Sequence, residues 1–274
     1  MTRDQLRQHL KAAVDASLRA GALMKAHASR AKTVKASTQH DIKLELDERC
    51  QRLIEKRLRL ALPQAAILGE EGVLGTPEAR LRWVVDPIDG TVNFAYGIPH
   101  ACVSIALQQR ADPGLPASGV QCGDCFVTLL GVVHDPFVGE TFTAMRGGPA
   151  RVNGRLIHTS NRDRLETAIV AVGFSKTRRS LEETLPAFAR LTHRVRKLRI
   201  MGAAALSLAY VAAGRMDAYV ERHLRLWDIA AGGLLVECAG GCFEMRPLGS
   251  ALHAYQIRAS NGPLQRSLAR LVPW

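Results

Sequence analysis

The segment Trp83-Val84-Val85-Asp86-Pro87-Ile88-Asp89-Gly90-Thr91-Val92-Asn93-Phe94 limits what this chain can fold into more than any other stretch. Trp83, Val84 and Val85 have the apolar, β-branched character of a buried strand. Pro87 has no N–H for a sheet ladder, so the strand is expected to stop at Asp86. Asp89 then adds a second carboxylate beside Gly90 and Thr91. A carboxylate at the end of a buried strand is costly unless something neutralises it. A hard cation and an anionic substrate would account for the cluster.

At 274 residues the chain can bury a full core. Met1 to Leu10 is mostly polar with no apolar stretch behind it, and no run approaches a membrane span, so the expectation is a cytoplasmic protein with no membrane contact. The formal charge of +12 fits a nucleic-acid footprint, or a solvated surface that attracts anionic substrates. The basic residues are dispersed, apart from Arg190, Arg194, Arg196, Lys197 and Arg199, and no aromatics interleave with them, so nucleic acid is not the expected main partner. Of six cysteines, Cys50, Cys102, Cys238 and Cys242 read as core thiols. Cys122 and Cys125 form a Cys-x-x-Cys without two further zinc ligands at suitable spacing and without a βαβ redox context.

Leu6, Leu10, Val14 and Leu18 predict an amphipathic helix, and Leu46, Cys50, Leu53, Ile54 and Leu58 a second one. The stretch 30–40 is polar and expected to be irregular. Strands are expected over 65–68, 102–107, 129–134, 140–144, 167–172, 196–201, 217–221, 243–245 and 256–259. Gln108 to Asp124 reads as a long exposed loop, and Asn153-Gly154 as a hairpin turn. Helices are expected over 181–191 and 202–213, the latter closed by Gly214, then from Asp228 to the Gly240-Gly241 pair and from about Pro263. Strand pairs in the middle of the chain argue for layered sheets and helices over a uniform βαβ winding.

Glu70, Asp86, Asp89 and Asp228 follow apolar strands or open helices, and Asp47 sits inside a helical stripe. Mg²⁺ takes oxygen ligands in octahedral geometry, which carboxylates on rigid strand ends can supply. A helix starting at Gly90-Thr91 would turn free amides toward a phosphate. Asp89 and Asp228 read equally well as helix N-caps, and Glu70-Glu71 alone as a solvated loop. Phosphatases that form an aspartyl-phosphate place two Asp at i and i+2, whereas Asp86 and Asp89 stand at i and i+3; a water activated by metal is the better nucleophile.

The pattern resembles the inositol monophosphatase superfamily. The signature D-P-[IL]-D-G-[ST]-x-N-[FY] after an apolar pair is matched by residues 84–94, W-D-x-A-(A/G)-(A/G) by Trp227-Asp228-Ile229-Ala230-Ala231-Gly232, and G-E-E by Gly69-Glu70-Glu71. The resemblance implies an α+β fold, a five-layered αβαβα sandwich, as a single domain over 1–274 with an N-terminal lobe of about 1–145 and a C-terminal lobe of about 146–274. It implies two to three Mg²⁺ ions on Glu70, Asp86, Ile88 (through its carbonyl), Asp89 and Asp228, with Glu70 also serving a third ion. Thr91 with Asp47 resembles the dyad that orients the attacking water. Asp89, Gly90, Thr91, Glu221, Asp228 and the stretch Gly202-Ala203-Ala204 would meet the substrate. Leu44 stands where the family's D-x-V-T-x-x-D motif has Thr in Asp41–Asp47, Lys35 lies near but out of register with the usual Lys, and the Gln108–Asp124 insertion is long.

The expected activity is Mg²⁺-dependent hydrolysis of a small phosphorylated alcohol, inositol 1-phosphate by family name. Histidinol phosphate, fructose 1,6-bisphosphate and 3′-phosphoadenosine 5′-phosphate are substrates of relatives. Glu221 favours a polyol or an amino-alcohol, and no aromatic cluster near Gly202–Ala204 offers an adenine platform. The resemblance implies a homodimer. A regulatory RNA- or protein-binding role, motivated by the charge, is the rival from another class.

Overall fold

In the computed structural model, residues 1–29, 33–37, 42–76, 78–111, 125–174, 178–249 and 253–273 are described. A small ribbon pairs β1 (Val34–Ser37) with β2 (Ile42–Leu44). The main sheet comprises β3 (Ala66–Gly69), β4 (Gly72–Leu74), β5 (Leu81–Asp89), β6 (Cys102–Arg110), β7 (Phe126–Asp135), β8 (Glu140–Met145), β9 (Arg151–Val152) and β10 (Arg155–Leu156), in the order β10-β9-β8-β7-β6-β5-β3-β4. Among the described residues only β3 and β5 run parallel in it. The second sheet, in the order β12-β11-β13-β15-β14, holds β11 (Ile169–Val172), β12 (Lys197–Arg199), β13 (Ala218–Arg225), β14 (Cys242–Pro247) and β15 (Ala254–Ser260).

Helices α1 (Arg3–His27) and α2 (Glu45–Ala61) cover the outer face of the main sheet. A single turn, α3 (Thr91–Ala95), follows β5. Helix α4 (Arg178–Thr192) and helix α7 (Gln265–Leu271) pack on the outside of the second sheet, while α5 (Ala204–Ala212) and α6 (Leu226–Cys238) lie between the sheets. The layers are therefore αβαβα, and the expected five-layered sandwich is the fold. Strand parity builds it: Trp83, Val85 and Ile88 enter the core under α1 and α2, whereas Val84 enters the core around α5 and α6. A strand buried on both faces reads as a continuous apolar run, which is what residues 83–85 are. Apart from Asp228 and Glu237 near the two ends of α6, helices α5 and α6 are apolar nearly all round because both sides are covered.

The structure corrects several expectations. Strand β5 does not stop at Pro87: Asp86 pairs with Ser104 and Asp89 with Cys102, so Pro87 and Ile88 form a bulge where no ladder N–H is required. The α1 stripe is misjudged at its end, since each four-residue step overshoots a turn by about 40°. Leu18 is 46% exposed, and Ala13, Ala16, Ala20 and Met24 face the core. Strand β1 lies inside the stretch expected to be irregular. Gln108–Arg110 belongs to β6, and residues 112–124, with Cys122, lie outside the described residues, as does Asp41. Cys125 is exposed, and Cys238 and Cys242 are half-buried, so they are not core thiols. The Asn153-Gly154 turn joins β9 to β10 with φ of 47° and 80°, as a type I′ hairpin needs. Among the described residues no helix is long and apolar enough to cross a membrane.

Candidate active site

The bulged end of β5, the β3–β4 turn, the start of α5, strand β13 and the first turn of α6 meet around one cavity of about 370 Å³. Glu70, Asp86, Ile88, Asp89, Gly90 and Thr91 reach it from the main sheet, and Gly202, Ala203, Ala204, Glu221 and Asp228 from the C-terminal half. Thus positions separated by up to 158 residues in sequence, from Glu70 to Asp228, line a single space. Asp47 does not line it, but it is buried and its charge acts on Asp86.

The local chain prepares each acid. Glu70 sits in the two-residue turn between β3 and β4, where its amide donates to the Val85 carbonyl at 3.1 Å. The neighbouring Glu71 amide donates to Gln51 Oε1 at 2.8 Å, so a buried α2 side chain holds the turn. Asp86 Oδ1 accepts from the Ile88 amide at 3.0 Å across the bulge. Asp89 Oδ1 and Oδ2 accept from the Ala204 and Ala205 amides at 3.1 and 2.7 Å, and the Cys102 thiol donates to Oδ2 at 3.5 Å. Asp47 Oδ2 accepts from the Leu44 amide, and Asp228 Oδ2 from the Arg225 amide, each at 2.7 Å. Asp228 is therefore inside the first turn of α6, not its N-cap. The helix starts of α2, α5 and α6 each meet a carboxylate, and their partial positive charge helps such a cluster exist.

Those interactions do not neutralise the site. Burial, then the charges of Glu70, Asp89, Asp228 and Asp47, push the Asp86 carboxyl well above the ordinary range. Burial pushes Asp89 up to about 6, although the Ala205 and Ala204 amides and the Cys102 thiol pull the other way. Among the described residues, no group of three or more His, Cys, Asp or Glu side chains stands arranged to hold a metal. The donor chemistry nonetheless fits a hard cation: oxygen donors only, buried at Asp86 and Asp89 and half-buried at Glu70 and Asp228, and repelling one another.

The Thr91 hydroxyl donates to the Ile88 carbonyl at 2.8 Å. Gly90 opens α3 with φ of 90°, and a Cβ there would lie 3.0 Å from the His100 carbonyl, so glycine is needed on both counts. Sequence reasoning left Asn93 without a role. Its Nδ2 donates to His100 O at 2.9 Å and to Met201 O at 2.8 Å, joining α3 to the segment before α5. It also missed the apolar wall formed by Val92, Phe174, Leu181, Ile200 and Leu224. These residues come from five separate places in the chain, and only Gly173-Phe174, immediately after a strand, carried a local signal.

Residues 5–121 and 124–272 match the model of the inositol monophosphatase family. The chain is 39% identical over 231 residues to the Nus factor SuhB of Xylella fastidiosa, covering 83% of this chain and 78% of that one. It is 36% identical over 233 residues to the inositol-1-monophosphatase of Rhizobium meliloti, covering 83% and 81%. The extragenic suppressor protein suhB of Bartonella henselae has the same fold, with a TM-score of 0.84 and 31% identity over 96% of this chain and 97% of that one.

Proposed function

The chain belongs to the inositol monophosphatase family, and on that premise we propose that it is a Mg²⁺-dependent phosphomonoesterase acting on a small phosphorylated alcohol, inositol 1-phosphate first. The observation that carries the reading is Asp86, raised by its burial and then by four surrounding carboxylates, at the edge of a cavity large enough for such a substrate. Glu70, Asp86, Asp89, Asp228 and the Ile88 carbonyl would hold two to three ions. Bound there, Mg²⁺ supplies Lewis-acid polarisation of the phosphoryl group, activation of water and neutralisation of the leaving oxygen. The chain's own residues do the positioning. Gly90 and Thr91 flank the phosphate, and Asp89 ties the metal site to the α5 amides. Thr91, held by the Ile88 carbonyl, with Asp47 close enough to act on Asp86, orients the attacking water. Glu221 and the stretch Gly202-Ala203-Ala204 receive the alcohol.

The reading includes a cytoplasmic homodimer, for which exposed Tyr96 and Ile98 offer apolar contact surface. A second reading, a regulatory role with RNA or protein, draws on the +12 charge, on exposed Arg194, Arg196, Lys197 and Arg199 around the edge strand β12, and on the relative named Nus factor SuhB. Its signature would be nucleic-acid binding lost steeply on raising salt.

The test is phosphate release from a panel of polyol, amino-alcohol, sugar and nucleotide phosphates, with Mg²⁺ or with EDTA. The expected result is Mg²⁺-dependent release, highest for a compact polyol or amino-alcohol phosphate, and at least about a hundredfold lower for Asp86→Asn. Release that is indifferent to Mg²⁺, or an Asp86→Asn variant near wild-type turnover, would overturn the assignment.

A further inference from the structure

We propose that Tyr219 and Gly173 together fix Glu221 in one position and so determine which phosphorylated alcohols the cavity accepts. The inference rests on the reading of Glu221 as a substrate contact and deepens it.

Tyr219 and Glu221 stand two apart on β13 and share a face. That face looks into the space between the sheets: Tyr219 joins the core around α5 and α6, whereas Val220 joins the core outside the second sheet. Tyr219 is 2% exposed, and its hydroxyl donates to Glu221 Oε2. Burial and the Glu221 charge hold the phenol well above its ordinary value, so it remains a donor. On the other side, Gly173 makes a notch. A Cβ at Gly173 would lie 1.6 Å from Glu221 Oε2, so the carboxylate occupies the volume that any other residue would fill.

The strand beyond Glu221 is anchored away from the cavity. A bulge falls between Glu221 and Leu224, His223 takes φ of 64°, and Arg222 and His223 both face Glu183 on α4, at 3.1 and 3.6 Å. Leu224 then returns to the cavity wall with Phe174, Leu181 and Ile200. An oriented carboxylate among apolar side chains selects for a hydrogen-bond donor at one place on the alcohol. The substrate class is therefore a compact phosphomonoester whose alcohol carries a hydroxyl or ammonium group at that place. A site built to bond such a group rejects analogues lacking it far better than an apolar wall rejects a size change. Tyr219 touches no substrate; it is a positioning residue acting through Glu221.

The experiment compares inositol 1-phosphate with 4-nitrophenyl phosphate, which has no donor on its alcohol, in Mg²⁺. For Tyr219→Phe, which keeps the ring and removes only the hydroxyl, KM for inositol 1-phosphate should rise about five- to tenfold with kcat within about twofold. KM for 4-nitrophenyl phosphate should not change. Gly173→Ala, which displaces the carboxylate without touching Tyr219, should raise KM for inositol 1-phosphate likewise. Combined with Glu221→Gln, Tyr219→Phe should add nothing further. Equal KM changes for both substrates, an unchanged KM in either single variant, or additivity with Glu221→Gln would overturn the proposal while leaving the phosphatase reading intact. Failure of the wild-type protein to release phosphate from either substrate would instead overturn the proposed function, and this inference with it.

Discussion

Asp89 carries two duties that pull against each other. Its carboxylate caps α5 through the Ala204 and Ala205 amides, and it is one of the mutually repelling acids of the cavity. Helix α5 has Ala203 at its N-cap, a residue that cannot cap, so the acceptor comes from a strand end 115 residues earlier. That contact was not legible in the sequence, where Asp89 read as a local cap, a metal ligand or a substrate contact. Two variants separate the duties. Asp89→Asn removes the charge and keeps one of the two acceptor oxygens, so in urea unfolding in EDTA it should lose less stability than Asp89→Ala. Asp89→Ala should cost about 1–3 kcal/mol, because buried amides lose their acceptor. Both should lose Mg²⁺-dependent phosphate release. Equal stability of the two variants would contradict the capping role. Thr91 was legible by motif, but its bond to Ile88 depends on the bulge and could not be read ahead.

At the scale of elements, the legible parts were those whose period survives in isolation. The α2 stripe, β6, β7 and β8 lie where hydrophobic spacing puts them, with ends shifted by a few residues. What failed had tertiary causes. Pro87 suggests a strand end, yet the ladder resumes at Asp89 because a bulge needs no N–H there. Helix α1 turns a face of small residues inward, and that face is set by its fit against the sheet and α2. The same closeness governs the central layer. Gly131 in β7 lies so near α6 that a Cβ would stand 2.8 Å from the Ala231 carbonyl and 2.9 Å from its Cα. Backbone on both sides leaves nothing flexible to yield. Gly131→Ala should therefore lower the unfolding free energy by about 1–3 kcal/mol in urea melts, through displacement of α6 and the Asp228 it carries. A variant as stable as wild type would show that the two layers are not in rigid contact.

For the whole molecule, composition and alternation of elements pointed to layered sheets and helices, but the order of the five layers came only through the motifs and their resemblance. The pairing of β3 with β5 and of β13 with β15 is a long-range fact with no local mark. The stacking matters because it brings the acids of the main sheet against those of the C-terminal half. It also sets a pH dependence with a definite sign. In the metal-free protein Asp89 binds its proton up to about 6, against an ordinary value of 3.8, and Asp86 is likewise raised, by burial and the surrounding carboxylates. Between those values the folded state holds protons that the unfolded chain has released, so these groups make stability fall as pH rises through that window. Mg²⁺ takes the deprotonated carboxylates, so its stabilising effect should grow over the same window. The most direct measurement is the change in Tm on adding Mg²⁺ in place of EDTA, for the wild-type protein and Asp86→Asn, at pH 5 and pH 8. A rise of about 5 °C or more is expected for wild type at pH 8 with saturating Mg²⁺, a smaller one at pH 5, and none for Asp86→Asn. A wild-type Tm indifferent to Mg²⁺ at pH 8, or an equal rise in Asp86→Asn, would contradict it.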